Sequence, residues 1–275
     1  MTRQGNRRRT SRMSGLSIRL LIAAAIAAFS LITYFSSGSV NPTTGEKQHV
    51  SISPDQEIKM GLRAAPSMEQ QYGGLHPDQR AQAFVKRVGQ RVVANSSAKD
   101  SPYQFEFHLL ADPRTINAFA LPGGQVYITA ALLGKLETEA QLAGILGHEV
   151  GHVIGRHGAE HLAKQKLTQG LISAVGVGVD PNAGRMAASI GQMINMKYGR
   201  GDELEADEFG LVLMSEAGYD PRAMIGVMDI LEQSSGGARQ PEMMSTHPNP
   251  GNRREKIRET INKIFPNGVP NGLDP

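Results

Sequence analysis

The sequence predicts an α+β fold that is mostly helical, with a small β sheet near residues 104–129. After residue 53, apolar side chains recur at helical spacing, often behind a residue that can cap a helix. Between residues 104 and 129, the apolar residues instead alternate or form short runs bounded by Pro and Gly. The 275 residues are enough for one sizeable hydrophobic core.

The N-terminal segment combines clustered positive charge with an apolar run. Six arginines lie within residues 1–19, which contain no acidic residue, and an apolar run from Leu20 to Phe35 follows. This order is typical of a segment that directs a chain across a membrane and leaves its arginines in the cytoplasm. We expect residues 1–37 to form an uncleaved signal anchor, with a cleaved signal peptide as the alternative. Residues 38–52 are polar and rich in turn formers, which predicts a linker.

The charge distribution gives no indication of nucleic-acid binding. The chain has 29 Lys and Arg against 26 Asp and Glu, but without the six N-terminal arginines it has 23 basic against 26 acidic side chains. The positive charge therefore belongs to the N-terminus, and we expect no nucleic-acid partner. The absence of cysteine excludes disulfides, thiolate metal sites and a cysteine nucleophile.

The first helices and the strands are indicated by caps and turns. Ser53 and Gln56 match a capping box, and Asp78 precedes a second helical pattern. The segment YQFEFHLL alternates and predicts a strand, whereas NAFALPGGQVYIT predicts two extended segments around a turn. Thr138 with Gln141 matches another capping box. Later helices are expected at about 138–157, 159–175, 183–198, 202–217 and 221–234 and after a cap at Asn249, followed by a flexible tail at 267–275.

One predicted helix carries the pattern H-E-x-x-H, formed by His148, Glu149 and His152. Histidines four residues apart share one helix face and can bind one Zn²⁺ ion, while the glutamate reaches a zinc-bound water rather than the metal. Zinc lowers the pKa of its water to about 7, and the glutamate can take the remaining proton. The alternative is that both histidines are core residues whose nitrogens bond to their neighbours.

A catalytic zinc ion needs a third protein ligand and one open position. His157 is one residue too early for the pattern H-E-x-x-H-x-x-G-x-x-H and would point away from His152 on a continuing helix, so we do not expect it to bind. Glu203 and Asp207 lie four apart on a later helix; one can bind zinc while the other orients a ligand through a hydrogen bond. Glu205 on another face competes with them, and a solvated acidic helix start is the alternative.

Three motifs occur in order along the chain: HEVGHVIGRH, DELEADEFG and STHPNPGNRREKI. They resemble the landmarks of the HtpX/BepA-type zinc metallopeptidases, a family related to the CAAX prenyl proteases, and NAFALPGGQVYIT is similar to the segment before their active-site helix. The resemblance covers about residues 50–265 and implies a zincin-like metallopeptidase domain at residues 53–266, with the H-E-x-x-H helix in its active site. Such enzymes carry several membrane helices or a C-terminal helical repeat domain, so we expect a minimal, single-anchor form.

The resemblance also assigns site residues one by one. His148, His152 and Glu203 match the metal ligands, and Glu149 matches the general base. The remaining matches are Asp207, which orients a ligand or donates a proton, His247, which gates the metal or binds the oxyanion, and Arg253, the arginine of the last motif. The implied cofactor is one Zn²⁺ per chain.

The resemblance implies a zinc-dependent endopeptidase of the bacterial cell envelope. It would sit in the inner membrane with its catalytic domain facing the periplasm or cell exterior, or be soluble in the periplasm after signal cleavage. The water activated by Glu149 would attack the scissile carbonyl, and His247, Arg253 or Tyr198 could help to stabilise the oxyanion. We expect unfolded or misassembled proteins as substrates, bound as extended peptides at a sheet edge near Gln125–Thr129. The alternative is a zinc-containing chaperone or assembly factor, although an intact Glu149 argues against it.

Overall fold

The computed structural model describes residues 15–175, 198–235, 241–247 and 251–275. Helices dominate and two small sheets accompany them, which confirms the predicted fold class. The helices are α1 (Gly15–Ser36), α2 (Pro54–Gln71), α3 (Gln79–Ala94), α4 (Ala130–Leu133), α5 (Glu139–Ile154), α6 (His157–Val175), α7 (Arg200–Glu216), α8 (Ala223–Ser235), α9 (Glu242–Thr246) and α10 (Arg253–Ile264), with a short 3₁₀ helix at Ser97–Asp100. The strands are β1 (Gly38–Val40), β2 (Lys47–His49), β3 (Glu106–Leu110), β4 (Ala118–Leu121) and β5 (Gln125–Thr129).

Helix α1 contains the apolar run predicted near the N-terminus. Within the described residues it is the one helix whose length and composition would allow a membrane span, over Ile18–Ser36, with a mean hydropathy of 2.0. A signal sequence meets the same criterion. Strands β1 and β2 form an antiparallel hairpin inside the segment predicted to be a linker, and α1 packs along α6.

The caps predicted for α2 and α3 are present. The Ser53 hydroxyl accepts a hydrogen bond from the Gln56 backbone N–H, and the Gln56 side chain accepts one from the Ser53 N–H. The Asp78 carboxylate accepts hydrogen bonds from the N–H groups of Arg80 and Ala81. These bonds satisfy backbone donors that the first turn of a helix leaves free, which is why both helices begin where the sequence predicts.

The larger sheet has the strand order β3–β5–β4, with β5 parallel to β3 and antiparallel to β4. The expectation of a substrate-binding edge near Gln125–Thr129 is therefore wrong, because this strand is central and is paired on both sides. The chain reverses at the turn before Gln125, where Gly123 and Gly124 have positive φ values, and this leaves β4 on the outside. The outer strands are β3 and β4, and the outer edge of β3 already pairs with the segment at Leu75 and His76. Among the described residues, the edge of β4 has no such strand partner.

Helix α5, which bears the H-E-x-x-H pattern, lies at the centre of the molecule. Every residue from Ala140 to Ile154 is buried. Its start agrees with the sequence, since the Thr138 hydroxyl accepts a hydrogen bond from the Gln141 backbone N–H at 3.2 Å. The Gln141 side chain, however, accepts a hydrogen bond from the Glu137 N–H rather than completing the expected capping box.

Glycines allow α5 and α7 to cross in close contact. A Cβ atom at Gly151 would lie 3.0 Å from the Ala206 carbonyl oxygen, and one at Gly210 would lie 2.9 Å from the His148 backbone nitrogen. Neither position leaves room for a larger side chain without moving a backbone. The close crossing brings the acidic residues of α7 to the histidine face of α5.

Helix α5 ends at Ile154, three residues earlier than predicted. Arg156 follows with a φ of 59°, the one positive φ of a non-glycine residue among those described, and α6 begins at His157. The left-handed conformation breaks the continuous helix that the sequence pattern suggested through His157.

The later helices agree with prediction where the structure describes them. Helices α7 and α8 correspond to the helices expected at 202–217 and 221–234. The last helix begins at Arg253, whereas its predicted cap, Asn249, lies outside the described residues. The helix predicted at 183–198 also falls almost wholly outside them.

The end of the chain, predicted to be a flexible tail at 267–275, is tied to the domain. The Asp274 N–H donates to the Gly218 carbonyl at 3.0 Å, and the Ala140 N–H donates to the Pro275 carbonyl at 3.1 Å. Part of this tail therefore caps the start of α5.

Candidate metal centre

Four buried side chains meet at one point. His148 and His152 come from α5, Glu203 from α7, and His247 from the residue after α9, and their ligand atoms all lie within 4.8 Å of one another. The Nε2 atoms of His148 and His152 are 3.1 Å apart. The Glu203 carboxylate lies 3.6 Å from the first and 3.4 Å from the second. The structure thus brings together the three residues that the sequence analysis named as ligands.

His247 occupies the remaining side of this cluster. Its Nδ1 atom lies 3.0 Å from Glu203 Oε1 and 3.4 Å from His148 Nε2. Its backbone N–H donates to the Met243 carbonyl at 2.7 Å, which fixes it to the end of α9. Burial opposes a charge on this ring, but Glu149 and Glu203 outweigh burial and raise the pKa of His247.

The charges and unpaired atoms of the cluster suit a metal ion. Burial lowers the pKa of His152 well below its ordinary value, so its ring is neutral and can act as a ligand. Burial alone would raise the pKa of Glu203, but His247 and the hydrogen bond to His152 outweigh it and lower that pKa. Among the described residues, Glu203 Oε2 and His247 Nε2 have no hydrogen-bond partner. Imidazole nitrogens with one carboxylate are a donor set that binds zinc.

Glu149 lies beside the cluster. Its Oε1 atom is 3.6 Å from His247 Nε2, and within the described part of the chain neither carboxylate oxygen has a hydrogen-bond partner. The side chain is fully buried, and burial raises its pKa. A buried carboxylate with free oxygens and a raised pKa is suited to take up a proton.

Asp207 and Arg253 form a buried ion pair behind His148. Asp207 Oδ1 lies 2.9 Å from His148 Nδ1, and Arg253 donates to both Asp207 oxygens from Nε at 2.6 Å and from Nη2 at 2.7 Å. Arg253 Nη1 is also 3.3 Å from Glu203 Oε2. Burial would raise the pKa of Asp207, but Arg253 outweighs it and holds that pKa below its ordinary value. The pair therefore fixes the orientation of the His148 ring.

Two further side chains contact His152, and a third contacts one of these two. His157 lies outside the four-residue cluster, but its Nδ1 is 2.9 Å from His152 Nδ1 and its Nε2 is 3.3 Å from Glu205 Oε2. The ring of Tyr198 stacks on that of His152, with centroids 3.9 Å apart. The sequence pattern predicts no role for His157, because its contact with His152 depends on the left-handed turn at Arg156.

A cleft leads from the free edge of β4 to this centre. It lies between α2, β4 and the start of α6, and His152 and Tyr198 line its inner end. Much of its remaining lining is apolar, with Met60, Leu121 and Ala159 among the side chains. The same cleft is thus lined by residues of β4 and by His152 of the cluster.

The chain is similar to known metalloendopeptidases. The sequence profile described as Peptidase family M48 matches residues 79–261. A beta-barrel assembly-enhancing protease of Yersinia pestis is 32% identical over 248 residues, covering 85% of this chain and 49% of the relative. The mitochondrial metalloendopeptidase OMA1 of Schizosaccharomyces pombe is 30% identical over 246 residues, covering 87% of this chain and 71% of the relative.

The beta-barrel assembly-enhancing protease of Escherichia coli is also similar, with 29% identity over 273 residues, 92% of this chain and 54% of the relative. The chain thus spans about half the length of the bacterial proteases that it matches.

Proposed function

The chain belongs to peptidase family M48, and from this premise we propose that it is a zinc-dependent endopeptidase. The observation that carries the proposal is the convergence of His148, His152 and Glu203 on one buried point, with the unpaired carboxylate of Glu149 beside it. The named relatives are metalloendopeptidases or proteases, which supports the same reaction class.

In this mechanism the ligands and the base have separate tasks. His148, His152 and Glu203 would hold the zinc ion, which when bound would supply a water of lowered pKa and a Lewis acid for the scissile carbonyl. Glu149 accepts the proton of the attacking water and delivers it to the leaving amine. The Asp207 carboxylate contacts His148 Nδ1 and so fixes the orientation of the His148 ring. The ion pair with Arg253 keeps Asp207 ionised.

We propose that the substrate binds as an extended peptide along the free edge of β4. Main-chain hydrogen bonds to a strand edge are independent of side-chain identity, which suits unfolded or misassembled proteins. The apolar lining of the adjacent cleft, with Met60 and Leu121, would accept an apolar side chain. The hydroxyl of Tyr198, whose ring lines the cleft and stacks on His152, is a candidate for an oxyanion donor.

His247 gives the centre a latent state. Catalytic zinc sites keep one position free for water and substrate, whereas His247 fills the open side of the cluster within 3.0 Å of Glu203. We propose that His247 must move away before a substrate can bind. His247 follows directly on the short helix α9.

We propose that α1 anchors the domain in the bacterial inner membrane, with the catalytic domain on the outer side. No residue of the apolar span is buried, although α1 packs along α6 and contacts the domain at Ser30 and Tyr34. His49 stacks on Tyr34 with ring centroids 4.5 Å apart, and a Cβ atom at Gly170 of α6 would collide with Ser30. A helix held to the domain in this way favours a retained anchor over a cleaved signal peptide.

The absence of native cysteine allows a direct test of the anchor. We expect a fluorescent probe on Phe29→Cys in α1 to be quenched by nitroxide-labelled lipids after the full chain is reconstituted in liposomes. Phe29 is 72% exposed, so a probe there faces the surroundings of the helix. The matched control is Lys256→Cys on α10, which should remain unquenched. Equal quenching at the two positions would contradict an inserted α1.

The proposed activity is tested by metal content and casein cleavage of the purified chain beside Glu203→Ala. We expect about one zinc per wild-type chain and cleavage of casein, because the cluster supplies one complete site. Glu203→Ala should lose both the metal and the activity, since it removes the carboxylate ligand.

A second part of this experiment tests whether His247 keeps the enzyme inactive. If the wild type binds zinc but does not cleave casein, His247→Ala should release the activity. A His247→Ala chain that holds zinc and still cleaves nothing would contradict an endopeptidase. A wild type without bound zinc would overturn the metal centre itself.

A further inference from the structure

The Nδ1 atoms of the two motif histidines, His148 and His152, have different partners. His148 Nδ1 faces the carboxylate of Asp207 directly, at 2.9 Å. Among the described residues, no carboxylate faces His152 Nδ1. This atom lies 2.9 Å from Nδ1 of His157, whose Nε2 lies 3.3 Å from Glu205 Oε2. We propose that His157 is a positioning residue that links the metal ligand His152 to Glu205 through two hydrogen bonds. The inference rests on the proposed metal centre and adds to it a residue outside the ligand set.

Only one arrangement of protons satisfies all of these contacts. When His152 offers the Nε2 lone pair to a metal, its neutral ring carries the proton on Nδ1 and donates it. His157 must then accept at Nδ1 and carry its own proton on Nε2, from which it donates to Glu205. The carboxylate thus sets the tautomer of His157, and His157 sets the tautomer and the orientation of His152.

The backbone conformation between His152 and His157 allows their Nδ1 atoms to meet. On a continuous helix, a residue five positions after His152 would point away from it. The left-handed conformation of Arg156, with φ of 59°, turns the chain so that the His157 ring folds back. Gly155 leaves the necessary room, because a Cβ atom there would lie 2.5 Å from His157 Nε2.

The strained turn is fixed by a buried ion pair. Arg156 donates from Nε to Glu57 Oε2 at 3.2 Å and from Nη2 to the Ile52 carbonyl at 2.6 Å. Arg156 and Glu57 are only 7% and 2% exposed. A non-glycine residue remains in this conformation only where its surroundings hold it there, and such strain is concentrated at functional sites. Helix α2 therefore supports the position of His157.

The test measures zinc affinity by competition with a chromophoric chelator, on the full chain in detergent. His157→Leu fills the space but accepts no hydrogen bond, and we expect its zinc affinity to fall about 10- to 100-fold, as for other residues that orient metal ligands. His157→Asn places an amide oxygen near the Nδ1 position and should recover most of this loss. Equal affinities of His157→Leu and the wild type would overturn the proposal. If the zinc affinity of His157→Asn falls as far as that of His157→Leu, His157 contributes only through packing and the proposal is wrong.

Glu205, the last residue of the proposed link, can be replaced without disturbing the hydrophobic core. The Glu205 side chain is 37% exposed, so Glu205→Leu removes the terminal acceptor without opening a cavity. We expect a weaker zinc affinity than in Glu208→Leu, the matched control, whose carboxylate is exposed on the same helix. Equal affinities in these two variants would overturn the link to Glu205. Wild-type zinc binding tests the metal centre separately, so its failure can be distinguished from failure of the link.

Discussion

Replacing Glu149 with glutamine is expected to abolish peptide hydrolysis while leaving zinc binding intact. Glu149 is absent from the four-residue cluster, so its substitution removes no ligand. Glutamine has nearly the same shape as glutamate but cannot accept the proton of the attacking water, and loss of a general base lowers rates by about 10²- to 10⁴-fold. Zinc content and casein cleavage, measured on the same preparation, give both halves of the result.

Glu208→Gln is the matched control for this prediction, because it makes the same chemical change at an exposed carboxylate. It should cleave casein at the wild-type rate. Cleavage by Glu149→Gln at the same rate would show that another group is the base. The variant also separates the enzyme from the alternative chaperone or assembly factor, since such a protein would keep its activity in preventing aggregation when Glu149 is replaced.

The features that the sequence predicted well depend on neighbouring residues. The caps at Ser53, Asp78 and Thr138 involve residues two to three positions apart. The spacing of His148 and His152 likewise places both rings on one helix face. In these cases the sequence separation alone fixes the geometry, and the structure agrees.

The features that could not be predicted from the sequence depend on contacts between segments that are distant along the chain. Strand β5 became central because β3 joins it in parallel from an earlier part of the chain, and no local pattern records this pairing. The position of His157 depends on a left-handed arginine, which is held by Glu57 about 100 residues away in sequence. The positive φ at Arg156 could not be expected, since glycine is the residue that favours it.

Replacing Arg253 with methionine should give the largest loss of stability among changes around the metal centre. The arginine is 3% exposed and donates two hydrogen bonds to Asp207, while its third nitrogen faces Glu203. Methionine removes the cation that these two buried carboxylates face. Leaving a buried charge without its partner lowers the free energy of unfolding by about 3–5 kcal/mol. Chemical denaturation of the zinc-free chain measures this loss.

The neighbouring arginine supplies the control. Arg254 lies on the same helix but is partly exposed and pairs with Asp229 and Glu232, so Arg254→Met should lower the free energy of unfolding by about 1 kcal/mol or less. Adding Asp207→Asn to Arg253→Met should recover part of the loss, because it removes one of the two uncompensated charges. Bound zinc should further reduce the difference in free energy of unfolding between the wild type and Arg253→Met. The bound cation would compensate the charge of Glu203, and it would do so only in the folded chain. Equal stabilities of the two methionine variants would show that Arg253 does not compensate the buried carboxylates, and the orientation of His148 would then have to depend on Asp207 alone.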